Sequence, residues 1–216
     1  KELDNDDLEK AYSVYDDEYY FTDMWNCYQD YSRRCLRNLS QPKTVDGQTI
    51  FDLIGDPPAK NIVDLGCGIG YSTSALTEMF PEARVWGTNL EDTKQWKFLQ
   101  HQKTLYPFEV VSSIQDIPAN DVDLVFASEY FEHILDPIAD LKDVIDKLNP
   151  TFLVIANAFN TWSIGHFRTY KNGDEKIDQS KMSRLFNKSL QELGYKQVKT
   201  KYFNGRPKVW RRIDSA

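Results

Sequence analysis

The chain has 216 residues, 41% of them hydrophobic, and its 33 acidic and 26 basic side chains leave a net charge of −7. That is enough for one domain with a sizeable core, its acidity argues against a dedicated binder of long nucleic acid, and no apolar run of about 18 residues is present to span a membrane. Cys27, Cys35 and Cys67 form no C-x-x-C pair, so neither a thiolate metal site nor a disulfide framework is expected, and a reducing, cytoplasmic setting is.

Residues 1–46 form an N-terminal extension distinct from the domain expected over 47–216. The extension is crowded with Tyr12, Tyr15, Tyr19, Tyr20, Phe21, Trp25, Tyr28 and Tyr31. Its spacing predicts helices over 4–19 and 23–39. Two readings stay open: an amphipathic pair packed on a sheet edge, and a lid whose aromatics face a substrate.

From residue 47 onward, strands and helices alternate, which indicates a parallel α/β sheet. A short helix over 47–54 precedes a strand at 60–66 and a helix over 70–79 that Pro81 stops. Strands follow at 83–89, 107–112, 122–127 and 151–157. Helices are expected near 91–102 and over 138–148, the latter bounded by Pro137 and Pro150. Residues 158–178 read as a long functional loop. A helix over 179–193 ends at Gly194, and 196–203 with 207–212 read as antiparallel edge strands joined by an Asn204-Gly205 turn.

The first strand runs into Asp64-Leu65-Gly66-Cys67-Gly68-Ile69-Gly70-Tyr71. Strand, glycine turn and helix in that order bind an adenine cofactor at the carboxyl end of an open sheet. A dinucleotide fingerprint, G-x-G-x-x-G, would need its last glycine at Tyr71. The G-x-G-x-G spacing with an acidic residue two places earlier resembles motif I of the class I S-adenosylmethionine (SAM) dependent methyltransferases. The resemblance covers about residues 47–212. It implies an α/β fold with a seven-stranded, mostly parallel Rossmann-like sheet and helices on both faces. It also implies SAM as cofactor, held by Asp64, Gly66, Cys67, Gly68 and Gly70.

The family's ribose-binding acid falls here on Asn89, which can accept one hydrogen bond and donate another but brings no charge. The adenine-side acid falls on Ser113, followed by Ile114. Ser128 follows the fourth strand, beside the expected methyl group.

Next come Glu129, Glu132 and His133, which would share one face of a helical turn. E-x-x-E-H here resembles metal-dependent O-methyltransferases of two kinds, one acting on catechol-like rings and one on the terminal 2′-hydroxyl of small RNAs. The second kind adds a later histidine, matched by His166. The resemblance implies a metal set of Glu129, Glu132, His133 and His166, suited to Mn, Fe, Co or Zn and less naturally to Mg. Two other readings remain: a hydrogen-bonding Glu-His pair, and a metal-free base. Glu129, His133 and His166 are the catalytic candidates. His101 is expected at the surface.

Trp162, His166, Phe167, Arg168 and Tyr170 are expected to frame the acceptor. Lys196, Lys199, Lys201, Arg206, Lys208, Arg211 and Arg212 read either as a solvent face of an edge strand or as a patch for a nucleotide or short RNA. No D-P-P-Y or N-P-P-Y sequence follows the fourth strand, which disfavours base amines as acceptors. The leading expectation is SAM-dependent methyl transfer to an oxygen of a small-molecule acceptor, with possible metal help. The alternatives are RNA or nucleotide 2′-O-methylation and a non-catalytic SAM-fold binding protein.

Overall fold

The computed structural model describes residues 12–161 and 163–213. A 3-10 turn at Ser13–Asp16 leads to helix α1, Glu18–Cys27, whose N-terminus is capped by the Asp17 carboxylate accepting from the Tyr19 amide. The helix continues without a break through a π-helical turn at Tyr28–Ser32 into α2, Arg33–Leu39. The expected break near 20–22 is therefore absent. No glycine or proline interrupts that stretch, and the true boundary lies at the Asp17 cap. Residues 4–11 of the first expected helix lie outside the described residues.

A short helix α3 (Ile50–Gly55) precedes strand β1 (Asn61–Leu65) and helix α4 (Tyr71–Met79). Strand β2 (Arg84–Thr88), helix α5 (Lys94–Gln102), strand β3 (Phe108–Val111) and strand β4 (Leu124–Ser128) follow. Helix α6 (Pro137–Leu148) has proline in its first turn, where no N–H is needed, and Asp136 accepts from the Ala139 amide as its cap. After β5 (Phe152–Ala156), the stretch expected as loop holds a hairpin, β6 (Thr169–Asn172) and β7 (Glu175–Asp178). Its Asn172-Gly173 step is a turn signal, and Tyr170 pairs with Ile177 to bury both side chains. Helix α7 (Gln179–Glu192) leads to β8 (Tyr195–Val198) and β9 (Lys208–Arg212).

The main sheet has seven strands in the order β3-β2-β1-β4-β5-β9-β8. The first five are parallel, and β9 runs antiparallel to both neighbours. Thus β9 is not the edge strand its sequence suggested. Val209 and Trp210 are buried within the sheet layers, and β8 takes the edge.

Successive strand residues point to opposite faces, and both faces are covered. Val125, Ala127 and Trp210 pack with Leu141 and Val144 of α6 and Phe186 of α7. Leu124 and Phe126 pack with Leu36 and Leu39 of α2, Ile50 of α3, Leu76 of α4 and Leu99 of α5. Each such buried side chain contributes about 1.5–3 kcal/mol relative to exposure. The packing brings the carboxyl ends of β1, β2 and β4 together under α1. Among the described residues, no helix is long and apolar enough to cross a membrane.

Candidate active site

After β1 the backbone turns through Gly66, Gly68 and Gly70, all with positive φ (61°, 58° and 90°). At Gly66 a Cβ would run into the Tyr130 ring, so the residue is fixed by room as well as by φ. Asp64 stands beneath the turn, fully buried. Its Oδ2 accepts from Ser72 Oγ and Thr73 Oγ1, both at 2.7 Å, which pins the first turn of α4 to β1. Burial pushes its pKa up to about 7 against those two hydroxyl donors. Asp64 thus supports the loop from below and does not line the cavity.

Asn89 Nδ2 donates to the Gly68 carbonyl at 2.7 Å, and its Oδ1 accepts from the Leu90 amide. A carboxylate could not make the first of these bonds. The amide ties β2 to the glycine turn and leaves only spare acceptor capacity for a ribose. Ser113 caps a 3-10 turn over Ile114–Asp116 by accepting from the Gln115 amide. Its neighbour Ser112 is the residue that lines the cavity, whereas Ser113 and Ile114 do not.

Above the glycine turn lies a cavity of about 290 Å³, bounded by Gly66, Cys67, Gly68, Asn89, Ser128 and Glu129 below. Its roof comes from the N-terminal segment: Tyr12, Tyr15, Tyr20, Met24 and Tyr28. Three hydrogen bonds fasten this roof. The Lys94 amide donates to Asp16 Oδ1 (2.7 Å), Gln95 Nε2 donates to the Tyr15 carbonyl (3.0 Å), and Tyr15 Oη meets His133 Nδ1 (3.0 Å). The extension divides by residue, with Tyr12, Tyr15, Tyr20 and Tyr28 lining the cavity and others turned to the core or to solvent. Cys35, Leu36 and Leu39 are core, whereas Tyr19 and Trp25 are largely exposed.

At one end of the cavity, Glu129, Glu132 and His166 each bring one ligand-type atom to within 4.8 Å of the others. Glu129 has a left-handed backbone (φ 55°) immediately after β4, an uncommon conformation for a residue with a side chain. A 3-10 turn at Phe131–His133 follows in place of the expected helical turn, so His133 is not part of this trio. Glu132 Oε1 accepts from the Ala158 amide at 2.5 Å, while Glu132 Oε2 and Glu129 Oε1 are buried with no hydrogen-bond partner among the described residues. Burial raises the pKa of both carboxyls, Glu129 to about 7 despite Arg206 and Tyr31, and Glu132 further with the Glu129 charge beside it.

His166 Nδ1 lies 2.8 Å from the Thr161 carbonyl. A carbonyl only accepts, so Nδ1 carries the proton and Nε2 presents a lone pair. Burial lowers the His166 pKa, which favours the neutral ring. Nε2 faces Glu129 Oε2 at 4.0 Å. The unpartnered Glu129 Oε1 and Glu132 Oε2 beside the His166 lone pair make a costly arrangement, relieved by a proton, a cation or a ligand's O–H or N–H.

His133 is partly exposed, and burial and the neighbouring His166 drive its pKa down to about 3, so its ring is neutral too. Its ring stands edge-on to His166 at 4.7 Å and bonds to the roof through Tyr15. Gly165 passes so close that a Cβ there would sit 2.6 Å from His133 Nδ1.

Phe167 and Tyr170 do not line the cavity. Both are fully buried, and Tyr170 Oη donates to the Glu132 carbonyl at 2.9 Å. Trp162 lies outside the described residues. In the basic C-terminal segment, Arg206 donates to Tyr31 Oη, Lys208 to Asn187 Oδ1 and Arg212 to the Asn149 carbonyl, while the Arg211 guanidinium lies over Phe152. Lys196, Lys199, Lys201 and His101 are exposed. The roof's hydrogen bonds and the role of Gln95 were not foreseen. Only the aromatic crowding of residues 12–31 hinted at them.

A seven-stranded sheet of this order, with a glycine turn opening a helix under a cavity, defines a SAM-dependent methyltransferase domain. The chain belongs to the methyltransferase domain family, whose description as "Methyltransferase domain" matches residues 33–196. It is similar to a malonyl-[acyl-carrier protein] O-methyltransferase of Hahella chejuensis (strain KCTC 2396), 26% identical over 120 residues, which are 55% of this chain and 43% of that one. It is also similar to a trans-aconitate 2-methyltransferase of Azoarcus sp. (strain BH72), 33% identical over 106 residues, 46% of this chain and 40% of that one. These matches cover less than half the length of either relative. Among solved structures it is similar to the small RNA methyltransferase HEN1, with a TM-score of 0.53 and 16% identity over 77% of this chain and 25% of that one. It is similar likewise to the plantazolicin methyltransferase BpumL in complex with S-adenosylhomocysteine, with a TM-score of 0.52 and 15% identity over 68% of this chain and 56% of that one. At such identities the likeness is one of fold.

Proposed function

We propose that this domain transfers the SAM methyl group to an oxygen of a small-molecule acceptor, with the N-terminal extension roofing the site through Tyr12, Tyr15, Tyr20, Met24 and Tyr28. The observation carrying this reading is the trio of Glu129, Glu132 and His166, three converging acceptors at the end of the cavity beside Ser128. SAM supplies an electrophilic methyl on a sulfonium. The protein's part is to bind, orient and deprotonate. Asp64, Gly66, Cys67, Gly68 and Gly70 shape the cofactor turn, Asn89 fixes it, and Ser128 borders the reacting end. In this reading the acceptor O–H lies between Glu129 and His166. His166 Nε2 takes its proton as the oxygen–carbon bond forms and the carbon–sulfur bond breaks. His133 holds the roof and the 165 loop around the reacting atoms.

The donor set also fits a divalent cation: two carboxylates with unpartnered oxygens and an imidazole whose Nδ1 is fixed by a carbonyl, as metal-binding histidines are. Glu129, Glu132 and His166 would hold it, with His133 beside them. Such an ion would lower the pKa of the acceptor hydroxyl. The RNA reading gains less support, because Arg212 donates to the Asn149 carbonyl and the Arg211 guanidinium lies over Phe152, so neither offers a free charge along the edge.

The test is methyl transfer from labelled SAM to a panel of hydroxyl compounds, with chelated and with manganese- or zinc-supplemented protein. Product with its methyl on oxygen supports the proposal. A methylated nitrogen or carbon, or no product from any acceptor despite cofactor binding, contradicts it. Activity that survives chelation unchanged removes the metal from the reading and leaves His166 as the base.

A further inference from the structure

Among the described residues lining the main cavity, none is lysine or arginine, and the acidic ones are Asp23 and Glu129. An acceptor bearing a negative group would find no cationic partner there. The nearest cations sit next door. A second, smaller cavity of about 40 Å³ opens beyond the end of β5, lined by polar Asn157, Ser183, Asn187, Arg206 and Lys208 and by apolar Ile155, Phe159, Phe186 and Trp210. A cavity holds a water once about 10–15 Å³ is open to probe centres, so this one suits a group that displaces about three waters, the size of a carboxylate or phosphate head.

Its walls are unusual in charge. Arg206 and Lys208 are both partly buried and close enough to act on each other electrostatically. Among the described residues, neither has a carboxylate within ion-pair distance. Lys208 Nζ donates to the neutral Asn187 Oδ1 at 2.9 Å, and Arg206 Nη1 to Tyr31 Oη at 3.1 Å. Arg206 reaches Glu129 and Glu132 only beyond ion-pair distance, and Lys208 has the Arg206 charge beside it and no carboxylate to offset it. A partly buried cation in that position is costly, and an anion between the two would relieve it. The cavity also adjoins the reacting end. Arg206 and Tyr31 both act on the Glu129 carboxyl, and Asn157 precedes Ala158, whose amide holds Glu132.

We propose that Arg206 and Lys208 form an oxyanion site that anchors a carboxylate or phosphate of the acceptor while its hydroxyl lies against Glu129 and His166. Binding of the anion stands on this cavity alone. Assigning it to the acceptor rests on the methyl-transfer reading. The guanidinium offers a planar fork and the ammonium a point charge, a pair suited to either oxyanion.

The experiment is calorimetric titration of the full chain with inorganic phosphate and, separately, with malonate, at constant chloride-set ionic strength. The wild type is compared with Lys208→Met, and S-adenosylhomocysteine affinity is measured on both. Expected are saturable binding of at least one anion, a loss of about tenfold or more in Lys208→Met, and unchanged S-adenosylhomocysteine affinity. Phosphate binding alone marks a phosphorylated acceptor, and malonate binding alone a carboxylic one. Ser183→Asp, which puts a negative charge across the same cavity, should abolish anion binding if Lys208→Met does not fold. Equal binding by wild type and variants, or none by the wild type, overturns the site. Lys208-dependent anion binding in a wild type that ignores S-adenosylhomocysteine would keep the site and remove its assignment to a methyl acceptor.

Discussion

Glu129 shows how one residue joins backbone geometry to chemistry. Its left-handed conformation turns the chain sharply at the end of β4, and burial lifts its carboxyl to about 7, above the ordinary 4.5. A raised acid contributes stability that is full below the unfolded value and is lost as pH rises through the folded one. The Glu129 contribution should therefore be lost between about pH 4.5 and about 7, opposed up to pH 6.5 by His133, whose lowered pKa adds stability as pH rises, and Glu129→Gln should remove the Glu129 part of the pH dependence. Chemical denaturation at pH 5 and 8 checks this, and a variant with the wild-type slope would refute it. His166→Ala should cut turnover about 10²- to 10⁴-fold, the usual worth of a general base, with S-adenosylhomocysteine affinity unchanged. An equal loss of both would mean that His166 shapes the cofactor pocket instead. At this scale the glycine turn was legible, because Asp64, Gly66, Gly68 and Gly70 are residue types that the geometry demands. The site of Glu129, Glu132 and His166 was legible only in part. Helical periodicity assigned His133 to one face with the two acids, but a positive φ and a 3-10 turn cannot be read from spacing. Asn89 was read against a ribose, whereas its amide bonds the Gly68 carbonyl, a contact set by tertiary folding.

The roof carries the argument at the scale of elements. A single helix bent through a π turn at Tyr28–Ser32 joins core residues Leu36 and Leu39 to cavity residues Tyr20, Met24 and Tyr28. Such turns often occur at functional sites. Tyr15→Phe removes the bond to His133, worth about 0.5–1.5 kcal/mol, and should speed S-adenosylhomocysteine release several-fold in stopped-flow measurements while the far-UV spectrum stays the same. An unchanged release rate would separate the roof from the cofactor. The β6–β7 hairpin escaped the sequence reading because polar Thr169–Asn172 and Glu175–Asp178 show weak alternation, with only Tyr170 and Ile177 inward. The interior position of β9 escaped it because lysine and arginine flank Val209 and Trp210 and give the strand an edge-like composition.

For the whole molecule, the alternating strands and helices fixed the fold class in advance, since each parallel strand needs a crossover helix and both sheet faces must be covered. Trp210, fully buried at the junction of the parallel and antiparallel parts, is the point where that architecture can be weighed. Trp210→Ala should cost about 3–5 kcal/mol of unfolding free energy. The central claim is that the glycine turn and its roof enclose a SAM site. The most direct measurement is calorimetric titration of the wild type and Gly68→Val with S-adenosylhomocysteine. Gly68 has φ 58° and would bring a Cβ to 3.2 Å from Met24 Sδ, and a side chain in that conformation costs about 1–2 kcal/mol. The account predicts saturable binding to the wild type and a loss of about tenfold or more in Gly68→Val. Absence of binding to the wild type, or equal binding by both proteins, would contradict it.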